Sequence, residues 1–104
     1  MAEIRWTKQA ADDLEAITSF IAEDSIHYAS LFALDGLSAV ERLETFPFLG
    51  RIVPEINNPS IREIILGYYR IAYQIRGELI EILTIYHTAR LLDPSRLEIR
   101  SNYD

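Results

Sequence analysis

Hydrophobic spacing switches from helical to strand-like across residues 46–60, and few folds accommodate that switch. Before it, Ala10, Ala11, Leu14, Ile17, Ile21 and Ala22 keep the three-and-four spacing of one helix face. The spacing predicts an amphipathic helix from residue 8 to about residue 24. A break near Ser25-Ile26 precedes a second helix over about residues 28–45, with Ala29, Ala33, Leu37, Val40 and Leu43 as its main stripe. Two helices joined by so short a link form an antiparallel hairpin. Pro47, Gly50, Pro54, Asn57-Asn58 and Pro59 then end the second helix in an ordered loop. Beyond the loop, three β-rich runs at residues 61–66, 69–76 and 79–87 are separated by Gly67-Tyr68 and Arg76-Gly77-Glu78. Glycines there suit tight turns, so these runs read as an antiparallel meander.

Ahead of the helices, Glu3-Ile4-Arg5-Trp6 alternates as a short strand does, and Thr7 offers a capping hydroxyl for the helix that follows. In the tail, Asp93 with Pro94 suits the start of a short terminal helix. The expected fold is therefore α+β: an N-terminal strand, then an antiparallel two-helix hairpin packed on an antiparallel four-stranded sheet. One domain over residues 1–104 is expected from the length. In the middle strand of the meander, Tyr69, Ile71, Tyr73 and Ile75 point one way, toward the helices. Arg70, Ala72, Gln74 and Arg76 point the other way. The last strand is apolar on both sides, but Glu81, Leu83, Ile85 and His87 include its two ionisable residues. That set is assigned to the Arg70 face, so Arg70 and His87 are expected to share a surface.

Composition removes several function classes. There is no cysteine among the 104 residues, which excludes disulfides, thiolate metal sites and cysteine nucleophiles. His27 and His87 are too few for a zinc site, and neither metal nor cofactor is expected. The carboxylates Asp12, Asp13 and Glu15 sit in the first turns of the first helix, where its dipole stabilises them without any metal. No apolar run is long enough to cross a bilayer, and the first residues lack a signal-peptide layout, so a cytoplasmic protein with no membrane partner is expected. Residues 1–50 carry nine acids against Arg5, Lys8 and Arg42, while residues 51–104 balance seven arginines with seven acids. The formal charge of −6 thus belongs to the helical half, and strong binding to free nucleic acid is not expected.

Two local features suggest a binding surface. Leu31, Phe32 and Leu34 widen the apolar face of the second helix, either to meet its own domain on two sides or to form a groove for a partner peptide. Gly36 in mid-helix costs roughly 1 kcal/mol relative to alanine, which either a close helix–helix approach offsets or loose sequence drift explains. Tyr68, Tyr69, Tyr73 and Tyr86 present either a base-stacking platform or, for Tyr69 and Tyr73, core residues.

Taken in order, Trp6-Thr7 with Ala10 and Leu14, Phe46-Pro47-Phe48-Leu49-Gly50-Arg51, Val53-Pro54-Glu55, Arg62-Glu63-Ile64, Tyr69-Arg70-Ile71-Ala72-Tyr73 and Ile82-Leu83-Thr84-Ile85-Tyr86-His87-Thr88-Ala89-Arg90 resemble the RelE/ParE toxin superfamily. The series is most similar to the ParE, or plasmid-stabilisation, branch and spans about residues 4–92. The resemblance implies a toxin of a type II toxin–antitoxin system, neutralised by a cognate antitoxin encoded by an adjacent gene. ParE-like members bind DNA gyrase and trap it on cleaved DNA, which needs no nucleophile in the toxin. The alternative is the RelE activity, ribosome-dependent cleavage of messenger RNA. A partner-binding protein without toxicity is a third reading.

Cleavage by a ribose 2′-hydroxyl needs a general base, a general acid and cations at the phosphate. Under that alternative Arg70 matches the family's phosphate-contacting strand arginine, and His87 matches a last-strand histidine used for proton transfer. Against it, Lys8 is the only lysine, so the lysines of the nucleases have no counterpart. Enzymatic activity therefore stays an open alternative, of the endoribonuclease type. Arg51, Arg62, Arg70 and Arg90, with Leu31, Phe32 and Leu34, are the candidates for contact with target or antitoxin. Arg70 could equally pair with Glu81 or with the tail. Arg62 and Glu63 adjoin on one strand and face opposite sides, so one of them is free to anchor the Pro-rich loop.

Overall fold

Alternating polar and apolar residues make Glu3–Trp6 a strand, β1, in the computed structural model, which describes residues 1–99. The end of the tail, residues 100–104, lies outside the described residues. Thr7 stops the strand and caps α1, Lys8–Ala22, its hydroxyl accepting from the Ala10 amide at 3.1 Å. Ser25 caps α2, Ile26–Glu41, in the same way through the Tyr28 amide at 3.1 Å. The helix expected to reach residue 45 instead tightens into a 3-10 turn over Arg42–Glu44. Four more strands follow: β2 at Arg51–Ile52, β3 at Ile61–Leu66, β4 at Tyr69–Arg76 and β5 at Leu79–His87. In the tail the expected terminal helix is a single 3-10 turn, Pro94–Arg96, capped by Asp93.

The sheet has five strands in the order β1-β5-β4-β3-β2. Two expectations are corrected here. Arg51–Ile52 adds a fifth strand by pairing with Arg62 and Glu63, and β1 runs parallel, not antiparallel, to β5. Alternation along one strand says nothing about the direction of its neighbour. That direction is set by backbone bonds such as Glu3 N–H to Glu78 O at 2.7 Å and Thr7 N–H to Ile82 O at 3.1 Å. Both hairpins are two-residue loops whose first residue, Gly67 or Gly77, sits at φ +60, where a side chain would be strained. Tyr68 and Glu78 do not share the positive φ, so the turns follow the II′ pattern that matches strand twist.

Both faces of the sheet are covered. On one, Ile71, Tyr73, Ile80, Ile82 and Ile85 meet Ala10, Val40 and Leu43 of the helical layer. On the other, the face that Arg70 shares, Ala72, Leu83 and Tyr86 pack with Val53 and Leu92, backed by Ile56, Leu97 and Ile99. The Pro-rich loop and the tail thus form a second, thinner layer. α2 turns Ala29, Gly36 and Val40 inward. Leu37, assigned to the buried stripe from spacing, is 48% exposed instead.

β5 carries a bulge. Tyr73 pairs with Ile82 but Ala72 pairs with Thr84, so Leu83 is an extra residue. From there on, the side-chain parity is reversed: Ile85 and His87 join the Ile71 and Tyr69 face, and Tyr86 joins the Arg70 face. The expected common surface for Arg70 and His87 therefore does not exist.

α1 satisfies the bulged edge where β1 has ended. The Thr7 hydroxyl donates to Ile82 O at 2.8 Å and Leu83 O at 3.1 Å. Asp13 accepts the Thr84 hydroxyl and, at 3.1 Å, the Ile85 amide. Asp13 therefore fastens α1 to the bulge, beyond the helix-dipole role read from its position.

Two glycines give opposite expectations. A Cβ at Gly36 would lie 3.4 Å from Leu66 and 4.0 Å from Leu14, ordinary contacts, so the expected tight helix–helix approach is not what holds this glycine. Gly36→Ala should raise stability by about 0.5–1 kcal/mol. A Cβ at Gly50 would lie 2.6 Å from Glu63 O and 2.8 Å from the Tyr73 hydroxyl. Gly50→Ala should cost about 1–3 kcal/mol. Urea midpoints at constant m-value measure both.

Candidate functional site

The charged centre of the molecule is on the second face of the sheet. Arg70, the first residue of β4's polar set, is 4% exposed. Its Nη1 donates to Glu63 at 3.1 Å and to Glu55 at 3.3 Å, and its Nη2 donates to Glu55 at 2.8 Å and to the Arg90 carbonyl at 2.7 Å. The guanidinium also lies 4.3 Å above the Tyr86 ring. Glu63 is fully buried and also receives Arg51 at 2.7 Å and the Tyr86 hydroxyl at 2.7 Å. Glu55 takes the Leu92 amide at 2.9 Å as well. One arginine thus joins a neighbouring strand, the Pro-rich loop and the tail.

Arg70's hydrogen bond lowers the Glu55 carboxyl below its ordinary value, against a smaller opposing effect of burial. Burial opposes the charge on Arg70, but Glu55 and Glu63 outweigh it and its pKa stands above the ordinary value. Burial and then Glu63 push the Tyr86 hydroxyl far up, so it remains a neutral donor. The arrangement is a compensated ionic cluster. A phosphate would have to displace two carboxylates to reach Arg70.

The other sequence candidates are dispersed. Arg62 donates to Gly50 O and Pro59 O, both at 3.0 Å, and stacks 4.9 Å from the Phe48 ring centroid, so it is the residue that anchors the loop on the helical side. Tyr73 assists from beneath, its hydroxyl donating to Pro47 O at 2.8 Å and accepting from Gly50 N–H at 2.9 Å. Arg51 is exposed but bound to Glu63. Phe32 turns toward the domain and meets Tyr69 edge-on at 5.3 Å, whereas Leu31 and Leu34 face outward. His87 is exposed, 5.5 Å from Tyr69 and parallel to Tyr68 at 6.4 Å. Tyr73 and Tyr86 are buried, so the four tyrosines form no common platform. Among the described residues no group of three or more His, Asp or Glu is arranged for a metal ion.

A groove of about 690 Å³ runs between α1, the end of β5 and the tail. Ile17, Phe20 and Leu91 give it apolar walls, and His87, Arg90 and Arg96 line it as well. Phe20 and Leu91 are exposed, and so are the side chains of Arg90 and Arg96. Of this set, Arg90 and His87 were singled out in the sequence. Ile17 and Phe20 come from the first helix and Leu91 and Arg96 from the tail, segments that no local pattern brings together.

A two-helix layer on a β1-β5-β4-β3-β2 sheet defines a small α+β protein. The sequence profile of the ParE toxin of type II toxin–antitoxin systems, parDE, matches residues 4–92, and the chain belongs to that family. It is similar to Toxin RelE2 of Caulobacter vibrioides, 34% identical over 92 residues that cover 88% of this chain and 100% of that protein. A chain from the chromosomal ParDE toxin–antitoxin system of P. aeruginosa has the same fold, with TM-score 0.69 and 26% identity, covering 84% of this chain and 96% of that one.

The ionic cluster makes two predictions. Arg70→Met leaves Glu63 and Glu55 short of their cation and should cost about 3–5 kcal/mol at neutral pH. A depressed Glu55 pKa means stability present above its ordinary 4.5 and lost as pH falls through the folded value. Glu55→Gln should therefore lower stability at neutral pH by about 1.5–3 kcal/mol, and the gap to wild type should narrow on acidification. Denaturant titrations from neutral pH to below 4.5 read both.

Proposed function

We propose that this toxin acts by contact with DNA gyrase, holding it on cleaved DNA, and that a cognate antitoxin encoded beside it neutralises it. One observation carries the choice of a contact mechanism over RNA cleavage: Arg70 is held by Glu55 and Glu63 beneath the loop and tail, on the face away from His87. The two residues that a ribosome-dependent nuclease would use cannot converge on one phosphate. An acidic chain also lacks the general attraction to ribosomal RNA that docking on a ribosome favours.

The groove between α1 and the tail supports the reading from the other side. It combines apolar walls with Arg90 and Arg96 on the rim, the composition of a protein-binding patch. Arg90 is the arginine among the sequence candidates whose guanidinium is exposed without a carboxylate partner among the described residues. It is taken as the contact to gyrase or antitoxin.

The test adds the purified chain separately to a gyrase supercoiling reaction and to translating ribosomes. Trapped DNA breaks in the first and intact messenger in the second are expected. Codon-dependent cuts in the messenger would replace this reading with the nuclease one, and inactivity in both would leave a partner-binding role. Arg90→Glu should lower the potency against gyrase about tenfold with unchanged thermal stability.

A further inference from the structure

We propose that the outward face of α2 is a two-fold interface through which two copies of this chain pair. The face lies opposite the buried residues Ala29, Gly36 and Val40, and Leu31, Leu34 and Leu37 expose 41%, 61% and 48% of their surface there. His27, Ser30, Ser38 and Glu41 complete it, all exposed. Along the helix these seven residues read His-Ser-Leu-Leu-Leu-Ser-Glu at spacings of three, one, three, three, one and three, the alternation of an antiparallel helix seam.

That order is symmetric about Leu34. When a second α2 is laid antiparallel across the first with Leu34 on the axis, Leu34 meets its own copy, Leu31 meets Leu37 and Ser30 meets Ser38. His27 then meets Glu41, so the only strongly polar positions at the two ends of the seam are complementary. An isologous interface demands this self-complementarity, in which each residue finds its partner at the mirrored position. Serines beside the leucines leave room for close helix approach.

Charge and size point to a second copy of limited affinity. The net charge of −6 disfavours self-association over most of the helical layer, yet this stripe carries no fixed charge between His27 and Glu41. A basic peptide would find no row of acids along it. The seam is about 21 Å long, too short to bury the roughly 800 Å² per partner of a standard interface. Reversible pairing with a dissociation constant on the order of 10–100 µM is expected.

Native cysteine is absent, so single cysteines report the geometry directly. In the purified chain under mild oxidation, Leu34→Cys should give a disulfide-linked dimer, because only the axial residue faces its own copy. Leu31→Cys and Leu37→Cys should crosslink mainly when mixed. Tyr28→Cys, exposed but off the seam, is the control and should stay monomeric. In sedimentation, Leu34→Glu should weaken dimerisation at least tenfold while its circular dichroism matches wild type. A chain that sediments as monomer across the expected concentration range, a dimer untouched by Leu34→Glu, or equal crosslinking at positions 28 and 34 would overturn the proposal. If the antitoxin helix alone occupies the face, the isolated toxin stays monomeric and Leu34→Glu impairs only antitoxin binding, which overturns it as well.

Discussion

A buried guanidinium is tolerable only when its charge is matched, and the second layer of this protein is arranged around that requirement. Arg70 projects from β4 on the face away from the helices, where Glu63 of β3 lies beside it and Glu55 reaches across from the Pro-rich loop. The same arginine takes the Arg90 carbonyl, and Glu55 takes the Leu92 amide, so loop and tail close over one cluster. The cost of desolvating such groups is close to what their attraction returns, so the cluster contributes little net free energy against an apolar packing. What it supplies is position. Directional bonds hold Val53 and Leu92 against Ala72, Leu83 and Tyr86, a small core that apolar contact alone would leave loosely registered.

The bulge at Leu83 does comparable work on the other strand. β1 is four residues long and ends opposite Ile82, leaving the rest of β5 with an unpaired edge. Thr7 and Asp13 take over that edge from the start of α1, which ties the first helix to the sheet by polar groups as well as by Ala10 and Leu14. The extra residue also reverses the alternation, carrying His87 to the helical face. Two residues that look like a catalytic pair in sequence are thereby separated by the thickness of the sheet.

Electrostatics then sort the surfaces. Arg51, Arg62, Arg70 and Arg76 make hydrogen bonds or ion pairs within the domain, so the arginine-rich second half is far less cationic outside than its composition suggests. Arg90 remains at the groove beside exposed Phe20 and Leu91, with Arg96 next to it and 3.8 Å from Asp93, and α2 presents an almost uncharged leucine stripe. Both surfaces have the mixed apolar and polar composition of protein-binding patches more than that of a polyanion site, which is why a contact mechanism is proposed.

Much of this architecture was legible in the residues. Capping by Thr7, the break at Ser25-Ile26, the helical period before the loop and the glycine turns after it are local effects, set by backbone sterics and by hydrogen bonds between near neighbours, and they determined two helices, three long strands and the Tyr69–Ile75 face. What only the tertiary structure decided was everything that pairs residues distant in the chain. The direction of β1, the extra pairing of Arg51–Ile52, the bulge, the partners of Arg70 and the outward turn of Leu37 each depend on which distant group fills a vacant bond or volume. Periodicity records that a side chain must be buried or solvated. It carries no record of which of several equally apolar or equally acidic partners will meet it.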